Sequence, residues 1–491
     1  MPNVTFDALD YTAANTFAPA RYRIDGDARG FTVWRNGTLW LELGPGYRLL
    51  RTRACGVCST DLARHHLPFP LPQVIGHEVL ALDERGERYV VEINASHHAR
   101  GLAADCPFCR SGLPTHCPER RTLGIHDLPG GFGPWLLAPV DACLPVPANV
   151  PDSAAVLVEP FAAALHAVRR LRPQAGERLA VLGPRRLGML VLAALAGVRT
   201  ERQQDGADFG IVALVRDPQL AAMARTFGAS DVHVVDDRAS TLPDRAFDAV
   251  IDTTGNPGAL ATAVRLARRE VHLKSTHGQS SCGLRQLTGL VVDELSLAPF
   301  PRDASEFGAN SANSANSAND RERPRLAWLP DATPPAWLLA RAEVLRGTPE
   351  ALAAAVQRPR HGLPRADLAV AANATEVDAA IRPIAASEAP LVRPRGTILV
   401  LPSTHATSPL LDAITTRSLR LSSSRCGDFH SALALLAANP ELQRIGERLV
   451  SHRFAATELP AAFAMAGSRA SVKVVVDHDD PARAGAPTIR T

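Results

Sequence analysis

The chain has 491 residues, 46% hydrophobic and 21% charged, which suits a soluble protein of two domains and excludes a disordered polyelectrolyte. A net charge of +3 is small for this length and argues against nucleic acid as a partner; no apolar run is long enough to predict a membrane span. The eight cysteines include five at metal-like spacing, a poor disulfide framework, and the first residues carry no basic-then-apolar leader pattern, so a cytoplasmic protein is expected.

Up to about residue 150 short strands alternate with Gly, Pro and charged turns, at 39–43, 47–54, 78–82 and 89–93. Within this β-rich stretch lie GVCSTD, with Cys55 and Cys58 three apart, and IGHE, with His77 and Glu78. VLVEPFAAALHAV then reads as a helix carrying Glu159. From 178 strands and helices alternate: strands at 178–183, 211–217, 231–236, 247–255 and 271–276, helices at 187–197, 218–229 and 259–269. This α/β rhythm predicts a doubly wound parallel sheet. Arginines such as those in RLARR, 265–269, read as a solvated face.

GANSANSANSAND, residues 308–320, has almost nothing to bury and reads as a disordered loop. Beyond it the chain echoes itself. FDAVIDTTGNPGALATAV is answered by ADLAVAANATEVDAAI, the segments ending in Ser275-Thr276-His277 by those ending in Ser403-Thr404-His405, and VVDELSL by TTRSLRL. Either strand-helix-strand units simply look alike, or a partial duplication extends the sheet. The tail gives two helical stretches and a last strand.

A catalytic zinc site takes about three protein ligands and keeps one position open. Cys58, His77 and Glu78 offer such groups from two nearby loops, and Glu159 offers another. Gly183-Pro-Arg-Arg-Leu-Gly188 opens the first helix of the alternating region, where a glycine loop brings backbone amides against a pyrophosphate; Arg185 replaces the middle glycine. At the end of the second strand an NAD site places an acid. Here Val215 and Arg216 stand there, with Asp217 one register away, which favours NADP(H) over NAD(H).

GVCSTD, GHE, LVEPFAAALHAV and VLGPRRLG together resemble the zinc-dependent medium-chain dehydrogenase/reductase superfamily of alcohol and polyol dehydrogenases, over about residues 35–300 and again over 395–478. The resemblance implies a GroES-like β-rich catalytic domain, 1–165 completed by 430–491. It implies a Rossmann dinucleotide-binding domain over 166–429, carrying an insertion at about 298–394. It implies that Cys58, His77 and Glu159 hold the catalytic zinc, with Glu78 a ligand or close neighbour and Cys55 outside the set. Thr60 matches the hydroxyl that relays the substrate proton, and Asp61 the carboxylate that orients His77. Gly183, Arg185, Leu187, Gly188, Arg216, Thr254 and Ser275 are the expected cofactor contacts.

The sequence departs from the superfamily in two places. The histidine that often ends the relay is Ala63, leaving His65 or His66 as substitutes. Cys106, Cys109 and Cys117 fit the last three positions of the structural-zinc pattern, whereas Ala103 stands at the first; His97, His98 or Asp105 could close that site. The implied activity is hydride transfer between NAD(P) and a small-molecule secondary alcohol, polyol or ketone, in a homodimer or homotetramer. The alternatives are a zinc-free quinone or enoyl reductase of the same superfamily and a degenerate, non-catalytic nucleotide-binding homologue.

Ordering residues 308–320 would cost about 1–2 kcal/mol per residue with little burial in return, and loop length is cheap in closure entropy. Deleting this tract is therefore expected to leave the thermal midpoint and cofactor affinity nearly unchanged. A calorimetric scan of the deletion variant checks this; loss of the folding transition would show the tract to be a structural connection.

Overall fold

The computed structural model describes residues 3–103, 106–235, 242–275, 278–285, 287–307, 323–357, 363–382, 390–402 and 408–478. The tract 308–320, Asp105, and the Thr276-His277 and Ser403-Thr404-His405 parts of the echo lie outside them. The chain divides into two compact units: Met1–Cys109 with Cys117–Ala162 and Cys426–Thr491, and Arg110–His116 with Ala163–Arg425. Their boundary falls inside the helix Val158–Leu171, a few residues from the expected one.

The first unit is built mainly from antiparallel strands, with one parallel pair and the helices Phe429–Ala438 and Leu459–Gly467 near the end of the chain. Asn3–Tyr11, Phe17–Asp27, Gly30–Arg35 and Thr38–Leu43 form a meander whose alternate residues Tyr22, Ile24 and Val33 are fully buried. Its last turn is Asn36-Gly37, both at positive φ, as a two-residue hairpin requires. A second sheet runs in the order Cys143–Pro145, Arg88–Val91, Glu78–Leu82, Tyr47–Gly56, Lys473–Asp477, Val450–Ala455, with Trp135–Pro139 also on Tyr47–Gly56. The Lys473–Asp477 strand from the far end of the chain thus lies directly against Tyr47–Gly56, with Val475 opposite Gly56.

The second unit is an α/β sheet of eleven strands among the described residues. In chain order they are β1 (Arg178–Leu182), β2 (Gly210–Val215), β3 (Asp231–Val234), β4 (Phe247–Asp252), β5 (Ala267–Leu273), β6 (Ser296–Pro299), β7 (Arg325–Trp328), β8 (Glu343–Arg346), β9 (Ala366–Ala371), β10 (Val392–Val400) and β11 (Arg420–Ser423). Their spatial order is β3-β2-β1-β4-β5-β11-β6-β10-β9-β7-β8, parallel throughout except for the antiparallel join between β11 and β6. The apolar runs of β1, β2 and β4 are buried on both faces, as a doubly wound sheet demands.

One local expectation is corrected. Residues 267–269 are strand, because the helix Pro257–Leu266 stops before Ala267, and the arginines there are paired. Arg268 meets Asp248 at 2.6 Å, Arg269 meets Glu177 and Glu270 at 2.8 and 2.7 Å, and Arg265 meets Asp244 at 2.9 Å.

The join between β11 and β6 carries unusual charge. Glu294, 1% exposed, takes His166 Nε2 at 2.7 Å and Arg395 Nε at 2.8 Å, while Arg170 donates to its carbonyl at 2.9 Å. Burial works to raise the Glu294 carboxyl, but His166 and Arg395 outweigh it and hold it far below the usual carboxylate range. Its folded pKa being depressed, the stability it adds is full above the unfolded value of about 4.3 and is lost as pH falls toward the folded one. Glu294→Gln is expected to cost roughly 3 kcal/mol at neutral pH, since it removes a buried carboxylate from partly buried partners, Arg395 among them. The difference from the parent chain should narrow as pH drops below the ordinary glutamate range, which urea unfolding at several pH values reads directly.

Candidate functional site

GVCSTD folds as the end of the Tyr47–Gly56 strand followed by a one-turn helix, Ser59–Leu62, with Cys58 at its N-cap. Asp61, 1% exposed, accepts the Cys58 backbone N–H at 2.8 Å on Oδ2 and faces His77 Nδ1 at 3.2 Å with Oδ1. One carboxylate therefore fixes the cysteine loop and the imidazole together. Burial works to lower the His77 pKa, but Asp61 and Cys58 overcome it, so the ring sits well above its usual value.

The next residue turns the other way. Glu78 is fully buried and ion-paired with Lys473, whose Nζ also donates to the Val57 carbonyl at 2.9 Å. This pairing explains the glycine of GVC: a Cβ on Gly56 would lie 2.1 Å from Glu78 Oε2 and 3.1 Å from Lys473 Cε. Gly76 of the IGHE stretch has φ +101°, and a Cβ there would strike the Phe132 ring at 2.7 Å and Cys55 Sγ at 2.9 Å. Cys55 is fully buried, and burial first, then Asp61 and Glu78, push its thiol pKa well up, so it stays a neutral packing group.

Glu159 stands half-buried in the first turn of the helix Val158–Leu171, and Thr60 half-buried in the turn after Cys58. Ala63 is exposed, as is His66, whereas His65 Nδ1 is 3.1 Å from the Tyr11 hydroxyl. Sequence reasoning missed Lys473. The signal was a lone lysine opening the apolar strand KVVVD.

Cysteines 106, 109 and 117 come together with His97. Their donor atoms all lie within 4.8 Å of one another, and among the described residues no other group of three or more such donors converges so closely. Cys58, His77, Glu78 and Glu159 are thus not drawn into one such cluster. His97 Nδ1 is 3.4 Å from Cys117 Sγ and 3.9 Å from Cys109 Sγ, close to the edge of about 3.6 Å that zinc bonded tetrahedrally to N and S would set. Nε2 of the same ring meets Glu119 Oε2 at 3.0 Å, the carboxylate backing that metal-bound histidines usually have. Burial, and then its bond to Cys106, push the Cys109 thiol up to about 12. A cation is what would turn these crowded thiols into thiolates, so the donor set fits zinc.

The glycine loop follows β1 in the second unit. Gly183 has φ +69°, and a Cβ there would meet Thr254 Cγ2 at 2.4 Å; one on Gly188 would meet Thr253 Oγ1 at 2.6 Å. Both glycines therefore let the turn pack on the loop after β4, as well as freeing the start of the helix Arg186–Gln203. Arg185 is the N-cap of that helix and Leu187 lies half-buried in its first turn. Thr254 is fixed by Asp252, which accepts its N–H at 2.9 Å and its hydroxyl at 2.7 Å. A Cβ on Gly255 would lie 3.8 Å from Ser275, so the loops after β4 and β5 adjoin. Val215 ends β2 buried, and Arg216 follows it exposed.

Residues 44–148 match the alcohol dehydrogenase GroES-like domain family. The chain is 28% identical over 256 residues to L-galactonate-5-dehydrogenase of Escherichia coli, a match covering 48% of this chain and 70% of that protein. It is 26% identical over 242 residues to D-arabinitol dehydrogenase 1 of Uromyces fabae, covering 45% and 65% respectively. The crystal structure of L-idonate 5-dehydrogenase from Escherichia coli shares the fold, with a TM-score of 0.56 at 16% identity over 97% of this chain and 99% of that one. The matched domain and these relatives support a place in the zinc-dependent medium-chain dehydrogenase/reductase superfamily, and the solved structure bears on the fold alone.

Proposed function

We propose that the protein is an oxidoreductase that transfers hydride between a nicotinamide dinucleotide and a secondary alcohol or polyol, or the matching ketone. The observation that carries this reading is the buried Asp61 carboxylate, which holds the Cys58 backbone N–H with one oxygen and faces the His77 ring with the other. The names of the relatives, which act on L-galactonate and D-arabinitol, favour a polyhydroxylated substrate.

In this reading Cys58 and His77 hold the catalytic zinc, with Glu159 as the acidic donor. When bound, zinc supplies a Lewis acid toward the alcohol or carbonyl oxygen, and the nicotinamide supplies the hydride acceptor or donor. Asp61 Oδ1 stands 3.2 Å from His77 Nδ1, and in this reading Nε2 is the ligating nitrogen. Glu78, held by Lys473, stays behind His77 as a neutralised charge. Thr60 Oγ1 takes the hydroxyl proton of the substrate. With Ala63 in place of a histidine, the proton's way onward runs through His65 and the Tyr11 hydroxyl it meets. The turn Gly183–Gly188 presents the N-terminus of its helix to the pyrophosphate, with Thr254 and Ser275 lining the neighbouring loops. Arg216 reads a 2′-phosphate, giving NADP(H) preference. His97, Cys106, Cys109 and Cys117 hold a second zinc with every position filled, a structural site.

Metal analysis of the purified protein is expected to find two zinc per chain. Cys58→Ala should remove one and abolish turnover, while His97→Ala should remove the other and lower the thermal midpoint. Full turnover in Cys58→Ala would favour the zinc-free reductase, and failure of the parent chain to bind either NADH or NADPH would favour the non-catalytic homologue.

Arg216→Ala should weaken NADPH binding by roughly 1–3 kcal/mol, the range for a lost charge-assisted contact, and leave NADH binding nearly intact. Fluorescence titration with both cofactors checks this; equal weakening would show that Arg216 does not read the phosphate.

A further inference from the structure

The sheet of the second unit contains one fold twice. Read outward from the antiparallel join, one side runs β11-β5-β4-β1-β2-β3 and the other β6-β10-β9-β7-β8, each parallel within itself and opposed to the other, so that the second side answers all of the first but β3. Strand β7 thus occupies the place of β1, β8 that of β2, β9 that of β4 and β10 that of β5.

The correspondence extends to single hydrogen bonds. Asp248, second residue of β4, accepts the backbone N–H of Arg178, first residue of β1, at 2.8 Å, and its other oxygen takes Arg268 at 2.6 Å. Asp367, second residue of β9, accepts the N–H of Arg325, first residue of β7, at 2.9 Å, and its other oxygen takes Arg393 at 2.7 Å. The β4–β5 pairing slips after Phe247, and the β9–β10 pairing slips at the equivalent Ala366. Asn256 caps the helix after β4 and Asn373 caps the helix after β9. Chance resemblance of strand-helix units does not reproduce the same aspartate bridge, slip and cap in order.

The sixth strands are exchanged. β6 follows β5 in the chain but pairs with β10, and β11 follows β10 but pairs with β5. Each half is completed by the other.

The second half has lost the means to hold a phosphate. After β7 the chain reads Leu329-Pro330-Asp331-Ala332-Thr333-Pro334-Pro335, with no glycine and three residues lacking N–H, where the first half has Gly183 to Gly188. The helix that follows, Ala336–Arg341, has 6 residues against the 18 of Arg186–Gln203. Trp328 Nε1 donates to the Ala332 carbonyl at 2.8 Å, tying the turn down, and Phe300, Phe307 and Trp337 pack beside it.

We infer that residues 296–400 are a second copy of the dinucleotide fold that no longer binds nucleotide and acts as a built-in partner, filling within one chain the edge of β11 that a single copy would offer to another molecule. An unpaired edge strand invites pairing with a second chain, and a two-fold antiparallel join is self-complementary. Here both requirements are met internally. Any homodimer or homotetramer must then use another face.

Leu297 and Leu421 are the directly opposed pair of the join, and opposed residues of antiparallel strands lie about 4.5–5.5 Å apart at Cα, within disulfide reach. Oxidised L297C/L421C is expected to form its cross-link within one chain, seen by peptide mapping as a linked monomer. Covalent dimers through these two positions would overturn the inference. Both leucines are buried, so a second measurement uses the unaltered chain. Amide exchange at 296–299 and 420–423 should stay equally slow over about a hundredfold dilution, since an intramolecular ladder does not depend on concentration; faster exchange on dilution would show pairing between chains. Calorimetric titration should count no more than one nicotinamide dinucleotide per chain, and two would overturn the loss of the second site.

Discussion

A carboxylate taken out of water has to be neutralised, and in the first unit that requirement falls on Glu78, directly after His77 in the chain. The neutralising ammonium is Lys473, which the strand Lys473–Asp477 delivers by pairing with Tyr47–Gly56. Much of the local design follows from this one pair. Gly56 is glycine because the pair occupies the space beside it. With Glu78 committed to Lys473, the aspartate at 61 is left to steady His77 and the Cys58 loop.

The two candidate metal centres solve the problem of crowded donors differently. At His97, Cys106, Cys109 and Cys117 the donors are already gathered, and Glu119 backs the imidazole from outside. At Cys58 and His77 two donors are steadied by the same carboxylate, Asp61, while Glu159 stands on a separate helix. A closed arrangement suits a metal that only holds a loop; a looser one leaves room for a substrate oxygen.

The α/β alternation and the local motifs were legible because they depend on residues near one another in sequence. Strands 39–43 and 78–82, the glycine turn at 183–188 and the cysteine spacing each announce themselves within a few residues. Lys473 was not legible as a partner of Glu78, since nothing in KVVVD says which strand it will join. His97 was one of three open choices, because its distance from Cys106 reflects a local rearrangement rather than a motif. Arg268 is exposed, as a solvated face requires, but the pairing of Arg268 and Arg269 was not legible because Asp248 lies on β4 and Glu177 just before β1. The echo was visible as letters, but its meaning lies in the exchange of β6 and β11, which only the pairing pattern reveals.

The position of the Lys473–Asp477 strand also sets a timetable. Its partner Tyr47–Gly56 is synthesised more than 400 residues earlier, and Lys473 reaches Val57 across a separation of 416 positions. During translation Glu78 has no Lys473 to pair with, so it stays in water and the loop carrying His77 stays open. The intervening sheet, whose strands are mostly close in sequence, has time to fold first. The stretch carrying His77 and Glu78 is therefore expected among the last parts of the molecule to close, since only a chain translated through Lys473 can bury Glu78 behind His77.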